Sequence, residues 1–226
     1  MIALVAASTA FVGTHFLLSH PLRRSLVGTL GKTGFLGVYA LAAAATLGWL
    51  AMAYRATPPT ALLWPPGDGV WLFASVFTLV ASVLLVGSLF GNPALPGPAA
   101  QPGAARGVFA VTRHPMMWGF ALWGFAHIAA YPEARNLTVA TAIIVLALVG
   151  AALQDRKKAA LQPGWSEWQA RTSWLPFAAI ADRRVPLRAM WPGWRATLGG
   201  VGFWLIATYA HVHAIGIAAG PWRWIG

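Results

Sequence analysis

Six long apolar stretches, separated by short polar ones, run along the chain. They lie at about 2–20, 33–54, 70–90, 108–131, 136–153 and 196–218. Each is close to the ~20 residues that an α-helix needs to cross ~30 Å of hydrocarbon. Backbone hydrogen bonds must close within the segment there, so the stretches are read as helices. The pattern predicts an all-α fold, a polytopic membrane helical bundle of about six transmembrane helices in a single domain over 1–226. The first stretch has no basic residues before it, since Ile2 follows Met1 directly, and it is expected to remain as a helix rather than act as a signal peptide.

Composition agrees with this reading. Of 226 residues, 58% are hydrophobic and 9% charged, and the mean hydropathy is +0.63. A soluble domain carries about 25% charged residues. The 16 Lys and Arg against 5 Asp and Glu would suggest nucleic acid in a soluble protein. In a membrane protein they mark basic loops facing anionic lipid, so membrane lipid is the expected partner and nucleic acid is not. With six spans, Arg55, Arg135 and Arg223 share one side and the other thirteen basic residues share the opposite one. The basic side is therefore expected to be cytoplasmic, with both termini periplasmic.

The connections have their own character. Thr57-Pro58-Pro59 and Trp64 to Gly69 predict a stiff outer connection, and Asn92 to Gly103 a proline-rich linker. The longest loop, about 154–195, is basic and holds Trp165, Trp168, Trp174, Trp191 and Trp194. It is expected to rest on the headgroups with its Trp residues at the interface. Arg156-Lys157-Lys158 and Asp182-Arg183-Arg184 read most simply as anchors on the basic side. Gly199, Gly200 and Gly202, and likewise Gly34 and Gly37, read as sites of close helix packing.

Ionisable groups inside spans call for an explanation, because they are costly in hydrocarbon. His15 lies in the first span, His127 in the fourth, and His211 and His213 in the sixth. His20 and His114 precede Pro21 and Pro115 near the basic boundary. Each His alone reads as a neutral imidazole hydrogen-bonded in the bundle. Four of them together suit two axial ligands of a haem b, since imidazole binds iron and bundles hold cofactors between facing helices. With no Cys in the chain, thiolate metal sites, disulfides and covalently attached haem are excluded. Depth along the helices pairs His15 with His114 and His127 with His211. No phosphate-binding loop, dinucleotide fingerprint, His-Glu-x-x-His or Ser-His-Asp set is present, and no acid lies within a span.

Several strings resemble the NnrU family of bacterial membrane proteins. They are His15 with Ser19, Pro21 and Leu22-Arg23-Arg24; Gly34-Phe35 with Tyr39; Thr112-Arg113-His114-Pro115 through Trp123 and Ala126-His127; Asp155 with Lys157 or Lys158; and Trp168 with Thr172 to Phe177. The resemblance implies an inner-membrane protein linked to nitrite and nitric oxide reductase expression. A related branch, 15-cis-zeta-carotene isomerase, is a haem b membrane enzyme. By that resemblance the axial ligands, and so the metal-binding residues, fall on His15 and His127. His114 and Arg113 are then a second, cofactor-facing pair at the helix start. The isomerase carries a Cys where this chain has Gly124. Arg113-His114-Pro115 with Gly119, and a second stretch holding Asp155, Gly164, Trp168 and Arg171, is also similar to isoprenylcysteine and phospholipid methyltransferases. In this chain, by contrast with that family, the paired acids are reduced to Asp155, and Met117 takes the place of the aromatic after His-Pro, with Trp118 following. Three functions therefore stay open: a haem b protein acting on an apolar lipid-phase substrate or in nitrogen-oxide metabolism, an S-adenosylmethionine-dependent methyltransferase-like protein, and a non-enzymatic assembly or signalling factor.

Overall fold

A computed structural model describes residues 1–95 and 103–225, and these are helical with no strand. Much of the proline-rich linker read at Asn92 to Gly103 lies outside the described residues. The long helices are α1 (Ile2–Ser19), α2 (Arg23–Ala56), α3 (Asp68–Gly87), α5 (Pro115–Ala130), α6 (Ala134–Leu161) and α9 (Trp194–Ile215). Short helices are α4 (Val108–Val111), α7 (Trp165–Arg171), α8 (Ala178–Ala181) and α10 (Trp222–Ile225).

Five of the long helices are long and apolar enough to cross a membrane. The sixth, α5, has 16 residues, about 24 Å at 1.5 Å per residue. The apolar stretch read at 108–131 is thus not one helix. Thr112 is extended and His114 is non-helical, and the helix starts at Pro115. Proline disfavours the α conformation in the residue before it and is well placed in a first turn. α2 breaks near its start at Gly31, whose φ of 69° and ψ of 174° favour glycine. Beyond that break it matches the predicted span at 33–54. α9 ends three residues before its predicted limit, because Gly216 adopts a left-handed C-cap.

The long helices pack in the spatial order α2, α1, α6, α5, α3, α9. Leu4, Ala7 and Phe11 of α1 bury against Leu50 and Ala53 of α2 and Val139, Ile143 and Leu146 of α6. Outward faces stay apolar, as at Leu41, Met52, Leu198 and Ile206. Lipid tails are as apolar as these side chains, so association relies on close packing and polar bonds. Small residues supply the packing around α3. A Cβ on Gly200 would lie 2.6 Å from Val83 Cα, and one on Gly119 would lie 2.9 Å from the Ala81 carbonyl oxygen. Gly202, Gly37 and Gly34 meet no neighbouring helix, so the packing role expected of all five glycines falls to Gly199 and Gly200 alone. Gly200→Ala is expected to force α9 off α3 at a cost of about 1–3 kcal/mol. Gly202→Ala is expected to be neutral or slightly stabilising, since Ala is the better helix former. Thermal denaturation in a mild detergent compares the two, and equal effects would refute the packing assignment.

The bundle has two distinct ends. At one, Leu63 N–H donates to Pro132 O (2.9 Å) and the Trp64 indole to Ala129 O (3.2 Å). The fully buried Glu133 accepts from Thr60 N–H (3.0 Å) and from Arg135 Nε (2.8 Å), and Arg135 also donates to Thr57 O. These bonds fasten the predicted stiff connection across the start of α6. At the other end lie the α1–α2 turn, the residues around the linker, α4, α7 and α8. Lys157 reaches Ser19 O there and Lys158 reaches Pro93 O. The sequence places most of the basic residues at this end.

Candidate functional site

Two clusters gather the chemically capable residues, one at the basic end and one within the bundle. The first forms around the break before Pro115. α6 continues past its apolar stretch into Gln154-Asp155-Arg156-Lys157-Lys158, and Asp155 lies on this polar extension. Its Oδ2 accepts from Arg113 Nε (2.7 Å) and Nη2 (2.6 Å), and its Oδ1 accepts from His114 Nε2 (2.8 Å). Both His114 and Asp155 are buried. Burial alone would raise the Asp155 carboxyl. The hydrogen bonds from His114 and Arg113, with the Arg113 charge, outweigh burial and bring it down to about 2.

A strip of the long loop closes over this group. Arg113 N–H donates to Ser173 O (2.9 Å), Thr112 Oγ1 and the Trp118 indole each donate to Trp174 O (2.8 Å), and Phe177 N–H donates to Val111 O (2.8 Å). The broken helix leaves these backbone groups without intrahelical partners, and residues 172–177 supply them. Behind the strip, Trp165 and Trp168 are almost wholly buried against Leu84, Val108, Phe109 and Val111. The expectation that the loop's Trp residues all rest at the headgroups is therefore corrected for these two. Spaced three apart on one face of α7, they form a small core of their own. Trp191 and Trp194 are exposed, as expected of interfacial residues. Resemblance pointed to Thr112, Arg113, His114 and Asp155, but which carbonyls receive their bonds carries no sequence signal, because every residue has one.

Within the bundle, each of three histidines donates Nδ1–H to the carbonyl four residues earlier: His15 to Phe11 (2.6 Å), His127 to Trp123 (2.8 Å) and His211 to Ala207 (2.8 Å). A carbonyl only accepts, so in the neutral ring Nε2 keeps its lone pair. No hydrogen bond to Nε2 of these rings occurs among the described residues. His127 and His211 face each other with ring centroids 6.0 Å apart, and Trp123 lies against His127 at 3.9 Å. Asn136 donates to His127 O and Tyr131 O, tying the last turn of α5 to α6. His15 has other neighbours, Phe11 at 4.5 Å and Tyr39 of α2 at 5.5 Å. α1 and α5 both pack on α6, and the ring neighbours of His15 lie on α1 and α2, not on α5. His213 lies against Tyr209, and His20 Nδ1 meets Ser19 Oγ at 2.7 Å.

The family profile for NnrU protein matches residues 3–219. The chain belongs to the NnrU family. No curated protein and no solved structure compared with it matches. The match in the NnrU-family chain spans both clusters and every long helix.

Imidazoles anchored through Nδ1, with Nε2 free, are the usual form of iron- or zinc-ligating histidine. His127 and His211 meet this requirement as a pair and His15 meets it singly. His114 does not, since its Nε2 is committed to Asp155. Among the described residues no group of three or more His, Asp and Glu gathers as an all-side-chain metal site.

Proposed function

We propose that this NnrU-family chain is a haem b protein of the bacterial inner membrane. It acts on an apolar, lipid-phase substrate by cis–trans isomerisation of a polyene. The observation that supports this reading is the set of imidazoles on the apolar helices that are anchored through Nδ1 and have no hydrogen bond to Nε2 among the described residues. Phe120 and Phe125 of α5 are exposed on the same helix, so an apolar substrate reaches the region from the bilayer without crossing charge. Bound haem would supply a redox-active, Lewis-acidic iron. The chain's own part is to orient the imidazoles through carbonyl hydrogen bonds and to keep ionised acids away from them. A link to nitrogen-oxide metabolism follows the resemblance and uses the same iron. The basic end faces the cytoplasm in this reading, with both termini outside.

The methyltransferase-like reading gains less support. Arg113 and the Nε2 of His114 are already engaged by Asp155. Titration with S-adenosylmethionine tests it, and heat with competition by the demethylated product would revive it.

The test of the main reading is an absorption spectrum of the detergent-purified chain from cells supplied with a haem precursor, oxidised and dithionite-reduced, with a pyridine haemochrome assay. A Soret band at about one b-type haem per chain is expected. A colourless protein would refute the haem reading and leave an assembly or signalling role.

A further inference from the structure

We propose that His211, and not His15, completes the site with His127. The proposal rests on the haem reading and names the second ligand within it. The resemblance points to His15 and His127, but the geometry does not join them. Ser19 O meets Lys157 and His114 meets Asp155, so the end of α1 and the start of α5 stand within one turn of each other along α6. His15 is four residues in from Ser19, about 6 Å, and His127 is twelve residues in from Pro115, about 18 Å. The two therefore differ in depth by about 12 Å. With metal–nitrogen bonds of about 2 Å on either side of an iron, the two ring centres lie about 6 Å apart.

His127 and His211 satisfy that spacing, at 6.0 Å between ring centroids. They also sit at matching levels, since each is within about one turn of its helix end, at Ala130 and Ile215. α3 packs against both α5 and α9, which lie on either side of it. The Trp204 indole donates to Thr78 Oγ1 (3.0 Å), and the Trp222 indole to Thr208 Oγ1 (3.1 Å), one helical turn before His211. These bonds hold α9 in rotation so that His211 faces α5. Asn136 does the same for the end of α5. Both imidazoles are thus oriented by their surroundings, and neither Nε2 has a hydrogen-bond partner among the described residues.

The experiment compares the full chain with His15→Ala, His127→Ala and His211→Gly, each expressed with haem precursor and checked by size-exclusion chromatography. The readouts are haem per chain and the low-spin optical and electron paramagnetic resonance signatures of two imidazole ligands. His127→Ala is expected to lose haem by about tenfold or more. His211→Gly is expected to lose the low-spin signature, and added imidazole is expected to restore it, which separates ligand loss from misfolding. His15→Ala is expected to keep both haem and the low-spin signature. A low-spin signature that survives in His211→Gly and disappears in His15→Ala overturns the proposal and leaves the haem reading intact. Haem absent from the unmodified chain overturns both.

Discussion

Asp155→Ala is expected to destabilise the protein by about 3–5 kcal/mol, the cost of breaking a buried ion pair from one side. The carboxylate is the shared acceptor for Arg113 and His114. Its removal leaves the Arg113 guanidinium without a counter-charge, with a side chain that is only 12% exposed. The strip at 172–177 is hydrogen-bonded to the same break and is expected to loosen, exposing Trp165 and Trp168. For a chain of this size the corresponding drop in Tm is about 6–20 °C. Thermal denaturation in detergent, with tryptophan emission as a second probe, measures both. The Arg113→Ala, Asp155→Ala double variant is expected to be less damaging than the sum of the singles, and strict additivity would refute the coupling of Arg113 with Asp155. The same pair predicts an acid transition. The folded carboxyl is depressed to about 2, so its stabilisation is complete above the unfolded value near 4 and is lost as pH falls from about 4 to about 2.

Glu133→Ala is expected to loosen the opposite end. Glu133 is fully buried and joins Thr60 and Arg135, so one substitution removes the side-chain bonds that tie Thr60 to the start of α6 and leaves the connection held by Leu63, Trp64 and Arg135. The cost is about 3 kcal/mol, at the low end for a broken buried pair, because Arg135 sits at the rim and regains water. Arg135 also lies over the Tyr54 ring at 4.8 Å and bonds Thr57 O, which tempers the loss. Burial alone would raise the Glu133 carboxyl. Bonds from Thr60 and Arg135, and the Arg135 charge, reverse this and hold it below its ordinary value. The stabilisation is therefore present above the ordinary glutamate range and fades as pH falls below it. Limited proteolysis at residues 57–66 is expected to speed up in Glu133→Ala. An unchanged cleavage rate would remove Glu133 from this role.

Much of the site region was legible in the sequence. Arg113, His114 and Asp155 stood out through the family resemblances, and depth along the helices paired His127 with His211, but it also paired His15 with His114, whose Nε2 the structure gives to Asp155. The pairing of His15 with His127, drawn from resemblance, takes no account of depth, and the ring neighbours of His15 lie on α1 and α2. The burial of Trp165 and Trp168 was hidden for a different reason. A Trp-rich basic loop looks the same whether it lies on headgroups or folds over a helix break, and only the unsatisfied backbone at Thr112 to His114 decides between them.

The sequence by itself determined that the chain is a helical membrane protein and roughly where its apolar helices run, but not that one of them starts only at Pro115 or that another stops at Gly216. The first two properties depend on local hydropathy, which each residue carries with it. Tertiary structure alone decided which helix faces meet, which carbonyls receive the loop at 172–177, and that His211 turns toward His127. In lipid an outward Leu and an inward Leu are nearly equivalent, so apolar pattern does not say which way a helix is rotated. Close contacts such as Gly200 on Val83 and bonds such as Trp204 to Thr78 set that rotation, and they exist only once distant segments have come together.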